Sequence, residues 1–116
     1  MSREFLDYIE DIIDAMSKAQ NFIREMDYEA FVKDDKTVFA VIRALEIIGE
    51  AVKKVPPKVK KQYPDAPWKD IAGMRDKLIH EYFGADQKTI WDTVKKDIPA
   101  LKPVFEKILR DFSAQG

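Results

Sequence analysis

"KTVFAVIRALEIIGEAVKKVPP", Lys36 to Pro57, decides the fold class. Val38, Val41, Ile42, Leu45, Ile48 and Val52 recur mostly at steps of three and four, the repeat of one helical face. A half-buried strand would alternate at every second residue, and this stretch does not. Asp34 or Asp35 offers the N-cap, and the helix is expected to run to about Val55. Pro56 and Pro57 end it, because proline lacks the backbone donor and clashes with the preceding turn. Gly49 inside the helix costs about 1 kcal/mol relative to alanine, which a close contact with another helix would offset.

Working outward, the preceding segment places Phe5, Ile9, Ile12, Ile13, Met16, Ile23 and Met26 at helical steps, with Ser2 as the candidate N-cap. "DYEAFVKDD" interrupts the pattern between these two long helices. Downstream, "PPKVKKQYPDAP" reads mainly as loop with room for a short helical turn. Pro67 suits the first turn of a third helix that stops near Gly84. Asp86 can cap a fourth, containing Ile90, Trp91 and Val94. Pro99 suits the start of a fifth, with Leu101, Val104, Phe105, Ile108 and Leu109 apolar. No stretch alternates like a strand, and there is no internal repeat. The expectation is an all-α bundle of about five helices, two long N-terminal ones and shorter ones after, with residues 1–116 as a single domain.

Composition narrows the function classes. A hydrophobic fraction of 46% with 35% charged residues is that of a globular chain. No apolar run approaches the ~20 residues that span a bilayer, and the acidic, amphipathic N-terminus is unlike a signal peptide. Cysteine is absent, which excludes disulfides and thiolate chemistry and fits a reducing cytoplasm. One histidine without cysteine argues against a zinc site, although carboxylates alone could still hold magnesium. Net charge is −1, unevenly spread: residues 1–35 carry a balance of −6 and residues 36–77 one of +5. The chain is therefore no polycation that coats nucleic acid. Lys53, Lys54, Lys58, Lys60, Lys61 and Lys69 nevertheless cluster in the middle segment, as a basic surface or a solvated loop.

The single histidine lies in "RDKLIHEYF", Arg75 to Phe83, on the third helix. At about 100° per residue, Tyr82 falls about 20° from Arg75, and His80 about 140° away on the other side. Asp76 and His80 form an i, i+4 pair. Ile71, Met74 and Leu78 make the core stripe, so Arg75, Asp76, His80 and Tyr82 form a polar band beside it. Histidine titrates near neutrality and can move a proton, while arginine offers a fork of donors to phosphate oxygens. The pair suits attack of an RNA 2′-hydroxyl on the adjacent phosphate, without a metal. That reaction uses both a base and an acid, and a symmetric dimer would supply the second histidine. The bland alternative is that these are polar residues on a wet helix face.

"RDKLIHEYF" resembles the R-x4-H-x-Y signature of the HepT-like toxins in the HEPN (higher eukaryotes and prokaryotes nucleotide-binding) superfamily. "KTVFAVIRALEIIGEAVKKVP" is similar to the family's second long helix, and "PWKDIAGMRDKLIHEYFGAD" to its motif helix with the approach and exit. "IWDTVKKDIPALK" is similar to the segment that follows, so the resemblance covers most of Lys36 to Lys102. It implies a HEPN-like bundle that forms a homodimer, with a cofactor-free and metal-free ribonuclease site in the dimer cleft. Arg75 and His80 match the catalytic pair, and Asp76 matches a supporting polar position that is commonly Asn. Tyr82 matches the residue that a nucleotidyltransferase antitoxin of the MntA type modifies with AMP. The resemblance thus implies the toxin of a toxin–antitoxin pair, cytoplasmic, acting on RNA. Two rival readings stand beside it. One is a noncatalytic module that docks on a nucleotidyltransferase and helps hold nucleotide; the other is a purely structural dimer. Trp68, Phe83 and Trp91 read as core or interface aromatics rather than nucleotide-stacking residues.

Overall fold

The computed structural model describes residues 4–80 and 87–113, apart from the side chains of residues 75–80. Helix α1, Phe5–Phe22, buries Phe5, Ile9, Ile12, Ala15, Met16 and Ala19 along one stripe and leaves Glu10, Asp11 and Asp14 in water. Glu4 stands at its N-cap position, and Ser2 lies outside the described residues. A short α2, Tyr28–Lys33, follows because Asp27 accepts the Ala30 N–H at 2.8 Å, satisfying a donor that the first turn leaves open. Asp34 then caps α3, Asp35–Lys54, through the Thr37 N–H at 3.2 Å and the Thr37 hydroxyl at 2.9 Å. These bonds, the backbone one foremost, favour the charged carboxylate and hold Asp34 below its usual pKa.

Pro56 and Pro57 end α3, and Pro57 immediately opens α4, Pro57–Gln62, where its missing donor costs nothing. The connection read as mainly loop therefore holds a helix of six residues. Helix α5, Trp68–His80, comes next, and the expected stop at Gly84 lies outside the described residues. So does Asp86, the expected cap of α6, Gln87–Asp92.

The last two expected helices are nearly one rod. A π-helical turn, Thr93–Asp97, joins α6 to α7, Ile98–Ser113, and the Ile98 N–H donates to the Thr93 carbonyl five residues back. Pro99 is thus the second residue of α7 rather than a break. Its ring would collide with the carbonyl four residues back in a regular α-helix, and the wider π turn supplies room just there.

Helix α3 lies at the centre, against α1 on one side and α5 on another, and α7 packs along α1. Lys54, in the last turn of α3, sits 5.4 Å over the Tyr8 ring near the start of α1, so those two helices are antiparallel. Phe5 meets Phe112 edge to face at 4.9 Å, which sets α7 antiparallel to α1 as well. Trp91 packs against Phe31 at 5.3 Å and Tyr28 at 6.0 Å, tying α6 to α2. Among the described residues no polar or charged residue is buried, so the core is apolar throughout. Each fully buried Ile, Leu or Phe contributes about 1.5–3 kcal/mol. Gly49 is itself buried on α3, the helix flanked by both α1 and α5. No described helix is long and apolar enough to cross a membrane.

Candidate active site on helix α5

Helix α5 is held from its first residue. Trp68 Nε1–H donates to the Tyr63 carbonyl at 2.9 Å, and its ring meets Phe105 of α7 edge to face at 5.4 Å. The Tyr63 hydroxyl donates in turn to Asp111 Oδ2 at 2.8 Å, across 48 residues of chain. Burial, with help from the Asp111 hydrogen bond and charge, pushes the Tyr63 phenol up to about 12. The Lys107 ammonium, 2.8 Å from Asp111 Oδ2, together with the Tyr63 hydroxyl holds the Asp111 carboxyl below its usual range. Trp68 is therefore structural, as is Trp91. Phe83 lies outside the described residues.

One turn on, Ile71 and Met74 face inward. With Met16, Leu45, Ile48 and Leu101 they line an apolar groove of about 320 Å³ between α5, α3 and α7. The backbone of Arg75, Asp76 and His80 continues the same helix. By register His80 stands about 180° from Ile71, in line with the exposed Lys69 and Gly73. Arg75 stands about 40° from Ile71, beside the buried stripe. The side chains of Arg75, Asp76 and His80, and Tyr82 as a whole, lie outside the described residues.

Gly73 is exposed, and a methyl group placed on it would meet no atom within 4 Å. The six lysines of the basic segment fall on the last turn of α3, on α4 and in the first turn of α5. Among the described residues no three His, Cys, Asp or Glu side chains group as metal ligands would.

What sequence reading missed are the groups that fix α5 in place: Tyr63, Asp111 and Phe105. "QYPDAPW" signalled a turn before a helix, but nothing local pointed to partners on α7.

The model of the family described as "Ribonuclease HepT-like" matches residues 12–108. The chain belongs to this HepT-like family. A Thermococcus cleftensis protein named "Probable ribonuclease HepT" is 55% identical over 108 residues, spanning 93% of this chain and 98% of the relative. Two Methanocaldococcus jannaschii proteins, each named a "Putative RNase", are 50% and 46% identical. The first alignment covers 94% of each chain, and the second covers 97% of this chain and 93% of the relative. The chain has no match among solved structures. The helices of this HepT-like chain form the all-α bundle that its sequence predicts, and the family match runs through α5 from end to end.

Proposed function

We propose that this HepT-like protein is a metal-independent endoribonuclease, with Arg75 and His80 as its catalytic pair. The observation that carries this reading is the near full-length similarity to proteins named ribonucleases, which spans the helix bearing both residues. In the reaction proposed, His80 takes the proton of a ribose 2′-hydroxyl and that oxygen attacks the adjacent phosphorus. The bond from phosphorus to the 5′-oxygen breaks, leaving a 2′,3′-cyclic phosphate on one fragment. The leaving oxygen takes a proton from His80 of the second protomer in a symmetric dimer. Arg75 stabilises the charge that builds on the phosphate oxygens, and Asp76 supports the pair as a polar neighbour.

The same reading assigns Tyr82 as the acceptor of AMP from a partner nucleotidyltransferase of the MntA type, the antitoxin of the pair. The phosphodiester so formed adds negative charge and a planar base two residues past His80 in the sequence, to compete with the RNA phosphate for Arg75.

The test is cleavage of RNA by the purified protein with and without a chelator. The expected result is cleavage that persists in EDTA and leaves a cyclic phosphate end. It should fall at least about 100-fold in Arg75→Ala and in His80→Ala, both with native helical spectra. Cleavage that stops in EDTA would replace this mechanism with a metal site. Full activity in His80→Ala would end the acid–base assignment and favour a noncatalytic module.

A further inference from the structure

A second concavity, of about 440 Å³, lies where the C-terminal end of α1 meets the π turn and the start of α7. The groove beside α5 uses Thr93, Asp97, Ile98 and Leu101 of that segment, whereas this one uses Val94, Lys95, Pro99 and Lys102. The two therefore occupy different strips of the same rod. Ser17, Gln20 and Asn21 of α1 complete the polar wall, with Arg24 just past the end of that helix. Among the described residues no carboxylate lines it, in a chain with more acidic than basic residues.

What sets the three cations apart is that they converge on one concavity from three elements. Lys18 pairs with Asp14 at 2.9 Å, Lys88 and Lys96 with Asp92 at 3.3 and 3.8 Å, and Lys107 with Asp111 at 2.8 Å. Arg24, Lys95 and Lys102 have no ion-pair partner among the described residues. Neighbouring lysines of the π turn divide: Lys96 goes to Asp92, while Lys95 lies 5.0 Å over the ring of Trp91 and lines the concavity. Lys102 Nζ donates to Gln20 Oε1 at 3.3 Å, which leaves the Gln20 amide NH₂ as a further donor. A charge near a helix C-terminus accounts for Arg24 alone. It does not account for two more cations arriving from other elements.

The geometry points to a docking groove for the phosphodiester backbone of a single-stranded RNA, outside the Arg75–His80 site and read without regard to base. A single small anion fits less well, because α1 presents its C-terminal end, which carries partial negative charge, and no cradle of backbone donors. A strand running across the groove uses each cation separately, one phosphate apiece, and releases its counterions. That the strand is RNA rests on the ribonuclease reading.

The experiment uses the full chain and a fluorescent 2′-O-methyl RNA, which has no attacking hydroxyl and so reports binding alone. Binding is titrated over a range of salt for the native protein, for the combined Arg24→Gln, Lys95→Gln, Lys102→Gln variant, and for each single change. The combined variant is expected to bind about tenfold or more weakly at about 0.1 M salt, equally for unrelated sequences. Its slope of log affinity against log salt should be shallower by about 2, from about 0.7 per phosphate contact. Lys95→Arg and Lys102→Arg should bind as the native protein does. Native affinity and slope in a combined variant that melts normally would overturn the proposal, as would displacement of the RNA by inorganic phosphate or AMP at micromolar concentration. Should the combined variant fail to fold, the single changes give the same reading, each with about a third of the slope change. Cleavage of unmodified RNA is measured alongside. Native protein that binds through the groove yet never cleaves refutes the ribonuclease reading alone; cleavage with no groove effect refutes the groove alone.

Discussion

Gly73 is a residue that its own chain does not require. It sits inside α5, where glycine costs about 1 kcal/mol relative to alanine, and the space beside it is open. Gly73→Ala is therefore expected to stabilise the fold by about 0.5–1 kcal/mol, read as a higher urea midpoint. Seven residues separate Gly73 from His80, which puts the two within about 20° on one strip. A midpoint that moves down instead would show that the space beside Gly73 is not open in solution. Tyr82 carries the next prediction. Incubated with a nucleotidyltransferase of the proposed MntA type and ATP, the protein should gain the mass of one or more AMP units on Tyr82 and lose cleavage. Tyr82→Phe should cleave and escape inactivation, because it keeps the ring and lacks the acceptor oxygen. A label mapped by mass spectrometry to any other residue sinks that assignment. At this scale the R-x4-H-x-Y set was legible as a pattern, its members lying within eight consecutive residues, though their side chains lie outside the described residues. The Tyr63–Asp111 bond and the Trp68–Phe105 contact were not, since side chains 48 and 37 residues apart in sequence leave no local pattern.

The boundaries of α3 were legible because the chemistry of single residues decides them. Asp34 starts α3 and the Pro56–Pro57 pair stops it, as their missing and supplied hydrogen bonds require. The π turn left no such mark. Pro99 reads equally well as the start of a new helix, and only its neighbours in space decide that the rod continues. The junction of α4 with α7 gives a pH prediction. Raising the Tyr63 pKa to about 12 means that the fold favours the neutral phenol. Its contribution is complete below the ordinary phenol value of about 10 and is lost as pH rises from there towards 12. The lowered Asp111 pKa works in the other direction: its contribution is complete above the ordinary carboxyl value of about 4 and is lost as pH falls through the depressed one. The melting temperature of Tyr63→Phe should thus lie below the native value by a constant amount between about pH 5 and 9. The gap should narrow above about 10 and again below about 4. A gap unchanged at pH 11 would show that the hydroxyl is not held in the fold as the Asp111 bond requires.

For the molecule as a whole, each of the longer helices announced one apolar stripe, and that settled the all-α class. Nothing in a stripe names its partner, so the central place of α3 between α1 and α5 emerged only from the packing. The proposed cleavage needs two histidines, and the chain has one. Sedimentation at micromolar concentration is expected to give a dimer, and a monomer alone would rule out the shared site. Phe5 against Phe112 has a further consequence, a mechanical one. The outer ends of α1 and α7 lie at the same pole of the molecule, so a force pulling them apart opens that seam contact by contact, like a zip. A force applied between the start of α1 and the π turn loads the seam along its length instead, and many contacts must yield together. With no native cysteine, handles can be attached to Glu4→Cys with Ser113→Cys, or to Glu4→Cys with Lys96→Cys. In an optical trap the first pair should unfold at the lower force and the faster rate, so that a machine pulling against both ends would meet this fold along its weakest direction.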